Sequence, residues 1–263
     1  TPKGQMVCDG RVWSRADDHL LDVEPGHEGA VRERFEHHII SEDVEVADVT
    51  AEYALFSLLG PKSGSVLGAP SPLNEHVSEE LDLPGLGRVT VIGTRLGRLT
   101  GIDLLVRSND ARSALEQLLA RGATPVGEDA FDVVRVEAGI PRFGIDMDEE
   151  TLPLEANLGD RAISFTKGCY VGQEIVARAS YRGGVRHKLF GFRLAEGPLP
   201  ADDTPLFKTV GDAKPAAELT RAVVSPRFGV IALGYARREH QTPGLELFTA
   251  EGRKAVVCAL PFG

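Results

Sequence analysis

The chain has 263 residues, 42% hydrophobic and 26% charged, with a net charge of −10, a composition typical of a globular protein with room for two or three small domains. No apolar run approaches the roughly 18 residues of a membrane span, and no secretory signal opens the chain, so we expect a cytoplasmic protein, or a mitochondrial matrix protein if the source is eukaryotic. The acidic balance argues against a direct nucleic-acid partner, because phosphates require a basic face.

The first fifty residues predict a strand-rich start. Two strands are expected over Gln5–Trp13 and His19–Val23, joined by a turn at Ala16–Asp18, because polar and apolar side chains alternate along them. A helix is expected over Gly26–His38, and Asp43–Asp48 again alternates as a strand does. Since the chain begins without Met inside a strand pattern, we expect its true beginning to be missing.

The next ninety residues combine strands and helices in the order of an α+β fold. Pro61 suits the first turn of a helix, whereas the prolines within residues 69–85 predict a loop around a short helix at most. A helix over Asp110–Arg121 is expected to be capped by Asp110 and ended by Gly122. The other predicted elements are strands over Glu52–Leu58, Val89–Arg95 and Gly101–Val106, and a helix over Glu128–Ala138.

An acidic segment follows that last helix. Six carboxylates occur within the nineteen residues 137–155, which glycines and prolines interrupt, and this is unlike a solvated helix face. Glu137, Glu149 and Glu155 are three of these carboxylates, and one interpretation of each is a surface acid or a helix cap.

One short stretch of the chain places a cysteine in a predicted turn between two glycines. Gly168 and Gly172 bracket Cys169 and Tyr170, and a helical pattern opens just after them. The apolar face of that helix consists of Ile175, Val176 and Ala179. Lys167 and the amides of the helix start would favour the thiolate of Cys169 over the thiol. The alternative is that Cys169 is a small buried hydrophobe.

The three cysteines, Cys8, Cys169 and Cys258, are odd in number and far apart. This predicts a reducing compartment without a disulfide framework. No set of cysteines or histidines has the spacing of a zinc or iron–sulfur site, so no resident metal is expected. Cys8 and Cys258 lie in strand patterns, where burial would protect their thiols.

Basic residues cluster around a predicted linker at Gly183-Gly184. They are Arg178, Arg182, Arg186, His187 and Lys188, all within eleven residues. One interpretation is a solvated helix end. The alternative is an anion site for a ligand that carries carboxylates.

From residue 188 the pattern changes to short strands separated by turns. Six strands in 76 residues predict a small β-barrel. They are expected over Lys188–Leu194, Thr204–Phe207, Glu218–Ser225, Gly229–Arg237, Leu245–Thr249 and Lys254–Leu260.

Residues Lys167–Glu174 read K-G-C-Y-V-G-Q-E and closely resemble the K-G-C-Y-x-G-Q-E signature of the YgfZ-like proteins. These are folate-binding relatives of the glycine-cleavage T-protein, linked to iron–sulfur cluster assembly and repair. A second motif resembles both groups: residues 134–139 match L/V-R-x-E-A-G, and residues 146–155 match D-x-D-E-x-x-x-P-x-E. The Leu59–Lys62 segment and the C-terminal strands resemble the T-protein fold as well.

This resemblance implies an α+β fold. A two-lobed, antiparallel sheet-and-helix module that binds folate, its first lobe truncated at the N-terminus, would precede a small C-terminal β-barrel. The implied domains are residues 1–186, with lobes at roughly 1–49 and 50–186, and the barrel at 187–263. The three parts would surround an opening that holds tetrahydrofolate or another reduced folate.

The resemblance also implies catalytic residues. In T-proteins an aspartate sits near the folate nitrogens and is essential for methylene transfer, and it falls on Asp9 of this sequence. The alternative for Asp9 is an exposed residue of a hairpin. Cys169 would be the working thiol, within a motif formed by Lys167, Gly168, Cys169, Tyr170, Gly172, Gln173 and Glu174.

Binding residues for the cofactor follow in the same way. A carboxylate can accept both adjacent donors of a pterin, a stronger contact than a neutral pair makes. Phe131 falls where the family often places an aromatic ring against the pterin, although plain core packing is the alternative. The implied cofactor-binding residues are Phe131, Glu137, Glu149, Glu155, Tyr170 and Arg178.

Three functions remain open from the sequence. The first is a tetrahydrofolate-binding accessory factor for iron–sulfur cluster assembly or repair, with client or assembly proteins as partners and tRNA-modifying radical enzymes among the clients. The second is a folate-dependent aminomethyltransferase or demethylase. The third is a module that senses folate without chemistry. The cysteine signature favours the first, because T-proteins lack it.

Overall fold

The computed structural model describes residues 1–15, 17–69, 74–181 and 184–263. Residue 16 of the predicted turn, Arg182 of the basic cluster and Gly183 of the predicted linker lie outside the described residues. The chain forms two compact units, one of residues 10–127 and one of residues 1–9 with 128–263. The domain ranges 1–186 and 187–263 stay a prediction.

The unit of residues 10–127 is a four-stranded antiparallel sheet with a hairpin and helices. The sheet has the order β3-β6-β5-β4, and β1 pairs with β2. The elements are β1 Gly10–Ser14, β2 His19–Val23, α1 Glu28–Glu36, β3 Tyr53–Leu59, α2 Ser63–Leu67, β4 Ser78–Leu83, β5 Gly87–Leu96, β6 Leu99–Arg107 and α3 Ala111–Ala120.

The two faces of β6 are buried in different ways. Ile102 and Leu104 belong to a cluster of buried apolar side chains with Leu118 of α3. On the opposite face, Asp103 is 1% exposed and accepts a hydrogen bond from Arg11 of β1 at 2.5 Å. A buried carboxylate needs such a partner, so this ion pair holds the hairpin to the sheet.

Three predictions for this unit are wrong. Residues 43–48 pair with no strand of the described residues, because alternation forms a strand only where a neighbour offers free backbone groups. The loop predicted over 69–85 contains β4, an edge strand whose polar residues alternate with Leu81 and Leu83. Asp110 precedes α3 but makes no side-chain capping hydrogen bond. Gly122 does end the helix region, with a φ of 94°.

Among its described residues, the second unit contains three α-helices, a short 3-10 helix over Arg238–His240 and a six-stranded antiparallel sheet of order β11-β12-β7-β10-β9-β8. Phe207 and Phe248 exchange backbone hydrogen bonds of 2.7 and 2.8 Å, which join the two edges of the sheet. The elements are α4 Glu128–Ala138, α5 Gly159–Ala162, α6 Gln173–Tyr181, β7 His187–Leu194, β8 Pro205–Leu206, β9 Ala217–Ser225, β10 Gly229–Arg237, β11 Glu246–Phe248 and β12 Lys254–Cys258. The predicted α+β class and C-terminal barrel are therefore confirmed.

Helix α4 packs on the outside of the barrel sheet. Val136, which is fully buried, shares a cluster with Leu189, Ile231, Leu233 and Phe262. The inner side of the sheet forms a separate apolar cluster. Among the described residues, no helix is both long and apolar enough to cross a membrane.

Candidate functional site

The N-terminal segment, residues 1–9, brings two of the sequence motifs together. The Met6 N–H donates to the carbonyl of Thr151 at 3.3 Å, and the Gln5 side-chain amide donates to the carbonyl of Glu150 at 3.3 Å. Met6 also shares an apolar cluster with Phe143 and Met147. These contacts fix the N-terminal segment to the part of the acidic segment that follows α4, residues 139–155, which we call the acidic loop.

The same segment also contacts the Cys169 motif through two glycines. A Cβ atom on Gly172 would lie 2.9 Å from Cα of Gly4, and one on Gly4 would lie 3.1 Å from Ile175. Gly4 and Gly172 have φ values of 74° and 85°, a conformation that side chains disfavour. A Cβ on Gly168, by contrast, would meet nothing within 4 Å, so only the second glycine of the motif is needed for close approach.

Cys169 is exposed, so the interpretation as a buried hydrophobe is wrong. Two apolar side chains of the same loop are also exposed, Phe165 to 49% and Val171 to 51% of their surface. The Lys167 ammonium lies over the ring of Tyr170, 4.8 Å from its centroid. The ammonium thus makes a cation–π contact with Tyr170. The sequence pattern predicts that it favours the Cys169 thiolate and does not predict this contact.

The other two cysteines are half-buried. The Cys8 thiol donates to the carbonyl of Asp9 at 3.0 Å, and the Cys258 thiol donates to the carbonyl of Val256 at 3.4 Å. Burial raises the pKa of the Cys258 thiol, despite the opposing charge of Arg193. Of the three cysteines, Cys169 is therefore the one presented to solvent.

Asp9 lies directly before β1, at the end of the segment that contacts the two motif loops. It is half-buried, so it is not the freely exposed hairpin residue of the alternative interpretation. Its catalytic role stays a prediction.

Glu137 is the best-oriented of the three candidate carboxylates. Its Oε1 accepts from the Ser225 hydroxyl at 2.5 Å, and its Oε2 accepts from Arg227 at 3.4 Å. The side chain is 15% exposed. Because a carboxylate has about four lone-pair sites, two contacts fix its direction and leave capacity for a ligand.

The two other candidate carboxylates are less firmly held. Glu155 accepts from the Leu152 N–H at 3.2 Å, which resembles a helix cap, and Glu149 is exposed. Beside Glu155 lies Tyr235, whose hydroxyl is buried without a hydrogen-bond partner in the described part of the chain. Burial chiefly, and then the charges of Asp146, Glu155 and Asp148, raises the pKa of Tyr235.

Two of the remaining predicted binding residues, Phe131 and Arg178, lie on helices, and Tyr170 lies in the loop before α6. Phe131 is half-buried on α4. Arg178 of α6 is exposed and donates to Glu174 at 2.8 Å, one turn earlier. Tyr170 lines a cavity of about 160 Å³ with Ser164 and Val176. Since pockets for drug-sized ligands measure about 300–1,000 Å³, this cavity holds a small group at most.

A buried ionic network lies beneath the acidic loop. Arg135 is 1% exposed and donates to Asp132 at 2.6 Å and to Asp146 at 2.5 Å. Asp132 also accepts from Arg221 of β9 at 2.6 Å, and Asp146 accepts from Thr220 at 2.5 Å. The network joins α4, the acidic loop and the barrel.

Sequence reasoning missed the groups that surround the candidate carboxylates and the buried network. Arg135 falls inside the V-R-V-E-A-G match, so the sequence did mark this residue. It did not show which acids Arg135 binds. Ser225, Arg227 and Tyr235 sit on or beside two barrel strands far along the chain from Glu137. Only the pairing of those strands beside α4 brings them there.

Comparisons with known proteins agree with this architecture. The family model described as "GCVT N-terminal domain" matches residues 1–167. An Arabidopsis thaliana protein described as a chloroplastic "Putative transferase" is 28% identical over 273 residues, covering 100% of this chain and 61% of that protein. An aminomethyltransferase of Rubrobacter xylanophilus is 31% identical over 266 residues, covering 98% of this chain and 70% of that protein.

A solved structure is similar over the whole chain. The crystal structure of glycine cleavage system aminomethyltransferase T from Bartonella henselae matches with a TM-score of 0.86 and 22% identity, covering 100% of this chain and 74% of that one. At this identity the likeness shows the fold. The chain spans about six to seven tenths of the length of the two curated relatives named above.

Proposed function

Because this chain belongs to the GCVT N-terminal domain family, we propose that it binds tetrahydrofolate or another reduced folate and acts as an accessory factor in iron–sulfur cluster assembly or repair. The observation that carries the second half of this proposal is the exposed Cys169, placed within the K-G-C-Y-V-G-Q-E signature. That signature, rather than any comparison, points to the YgfZ-like branch. The proposed partners are client or assembly proteins in the cytoplasm or the mitochondrial matrix.

The hydrogen-bond acceptors of this chain fit a folate. A pterin presents adjacent N–H donors, and Glu137 offers a carboxylate whose direction Ser225 and Arg227 already fix. An acceptor held in place loses little side-chain entropy when the ligand binds. Glu149 and Glu155 supply further acceptors on the acidic loop. The folate would supply the carrier for one-carbon chemistry, and Glu137 would orient its pterin.

We expect Glu137→Gln to weaken binding of tetrahydrofolate by about tenfold to a hundredfold, because a charge-assisted hydrogen bond contributes about 1.5–3 kcal/mol. Glutamine keeps the shape and an acceptor for Ser225 but loses the charge. Anaerobic calorimetric titration of the full-length protein measures the change. Glu218→Gln, at an exposed position of β9, is the matched control and should bind as the wild type does.

The first of two results would end the folate proposal, and the second would end the role of Glu137 in it. One is no saturable heat with reduced folates but clear binding of ATP or NAD. The other is equal folate affinity for Glu137→Gln and the wild type, which would remove Glu137 from the site and move attention to Glu149 and Glu155.

A second candidate function is folate-dependent aminomethyl transfer or demethylation. It is favoured by the half-buried Asp9, at the position that matches the T-protein aspartate, and by the aminomethyltransferase of Rubrobacter xylanophilus. In that case Asp9 would hold a proton at a folate nitrogen.

An assay of methylene transfer from an aminomethyl donor to tetrahydrofolate separates the two candidates. If the accessory function holds, the wild type and Asp9→Asn should both be inactive. Turnover by the wild type at a rate typical of metabolic enzymes, about 1–1,000 per second, that Asp9→Asn abolishes would establish the transferase instead.

A further inference from the structure

We propose that an exposed end of the barrel sheet, between β7 and β10, docks an acidic segment of a partner protein. We name this surface the basic rim and define it by three exposed, positively charged side chains: Arg186, Lys188 and Arg238. The rim contains part of the basic cluster of the sequence, together with Arg238, which lies some fifty residues further along the chain.

Strand pairing assembles the rim. His187 of β7 lies directly opposite Arg237 of β10, with Lys188 next along the strand. One residue beyond this pair, the Arg238 N–H donates to the carbonyl of Arg186 at 2.9 Å. Successive side chains of a strand point to opposite faces of a sheet, so Arg186, Lys188 and Arg238 lie on one face of this strand pair, and Arg237 lies on the other.

The side chain of Arg238 lies close to the residues that lead into β7. A Cβ atom on Gly184 would lie 2.9 Å from Nη2 of Arg238, and Gly184 has a φ of 64°. Glycine therefore permits both the backbone conformation and the close approach of the guanidinium. The Arg238 guanidinium therefore lies beside the residues that lead into β7.

Throughout the described ranges, no rim side chain forms an ion pair with a carboxylate, although exposed cations elsewhere do. Examples are the pairs Arg88–Glu80, Arg107–Glu52 and Lys254–Glu246. Glu239 is the one acid within residues 184–188 and 236–241. Like charges on neighbouring strands repel, so an anionic partner would relieve a standing electrostatic cost.

The chemistry of the rim favours carboxylates of a short protein segment over a nucleic acid. The net charge of −10 opposes a long polyanion, whereas a short segment interacts only with charges within a Debye length of about 8–10 Å. The three rim residues include no aromatic ring on which a base could stack. Arginine binds carboxylates in a bidentate manner, and two of the three rim cations are arginines. Folate binding is not required for this proposal.

A fluorescent peptide with several consecutive glutamates, titrated with the full chain and followed by anisotropy, tests the proposal. We expect saturable binding at low salt that weakens as salt rises. Arg186→Gln with Arg238→Gln should weaken it by about tenfold or more. The matched control, Arg98→Gln with Arg112→Gln, removes two charges from exposed positions of the other unit and should leave binding unchanged.

Three further measurements keep the test decisive. Arg186→Glu alone should also weaken binding. This single variant replaces the double variant if circular dichroism shows that the double variant does not fold. A peptide with glutamine in place of every glutamate should not bind. Equal binding of the two peptides, equal binding by rim and control variants, or tighter binding of a single-stranded RNA through the same arginines would overturn the proposal.

Discussion

Replacing Arg135 with methionine is expected to lower the free energy of unfolding by about 3–5 kcal/mol, because removal of one partner from a buried ion pair leaves uncompensated charge. Arg135 is 1% exposed and binds both Asp132 and Asp146. Methionine fills a similar volume but donates no hydrogen bond. Urea denaturation followed by circular dichroism measures the loss, as a shift of the midpoint at constant slope.

The effect of this substitution should depend on pH. Burial alone would raise the pKa of Asp132, but the hydrogen bonds and charges of Arg135 and then Arg221 outweigh it and hold that pKa below its usual value. Stability from a depressed carboxylate pKa is present above the unfolded-state value of about 3.9 and is lost as pH falls through the folded-state value. The difference between wild type and Arg135→Met should therefore be largest near neutral pH and shrink in acid.

Arg112→Met provides the matched control for that experiment. Arg112 of α3 also pairs with an acid, Glu116 at 3.1 Å, but its side chain is 92% exposed. An exposed pair of this spacing contributes about 0.5 kcal/mol or less. Similar losses for the two variants would mean that the Arg135 network contributes no more than a surface pair.

Cys169→Ala is expected to leave the fold and folate affinity nearly intact while abolishing rescue of iron–sulfur enzyme activity in cells that lack the native factor. The thiol is exposed and belongs to no buried apolar cluster among the described residues, so its removal costs little packing. Complementation, melting temperature and folate titration of the same variant check the three parts of this expectation.

Cys258→Ala is the control, since it should reduce stability and still complement. Mass-spectrometric mapping should also find faster alkylation of Cys169 than of Cys258, because exposure admits the reagent to the first and burial raises the pKa of the second. Slow alkylation of Cys169 together with full complementation by Cys169→Ala would end the functional interpretation of this thiol.

The local pattern of apolar residues predicted the bounds of several elements correctly. The α4 range and the β2 and β10 ranges agree with the predictions, because their apolar periodicity matches the surface they bury. The strand predicted over 43–48 failed and β4 was missed for one reason: a strand exists only where another strand completes its hydrogen bonds. Alternation of side chains does not contain that information.

The sequence by itself determined the α+β class, the six-stranded barrel and the motif that presents Cys169, because each depends on periodicity and residue type within a short stretch. Only the tertiary structure decided how Glu137 is oriented and where the basic rim forms. Ser225 and Arg227 reach Glu137 from barrel residues nearly ninety positions away. Such contacts arise from strand pairing and packing of α4 on the sheet, which bring together residues that no local pattern relates.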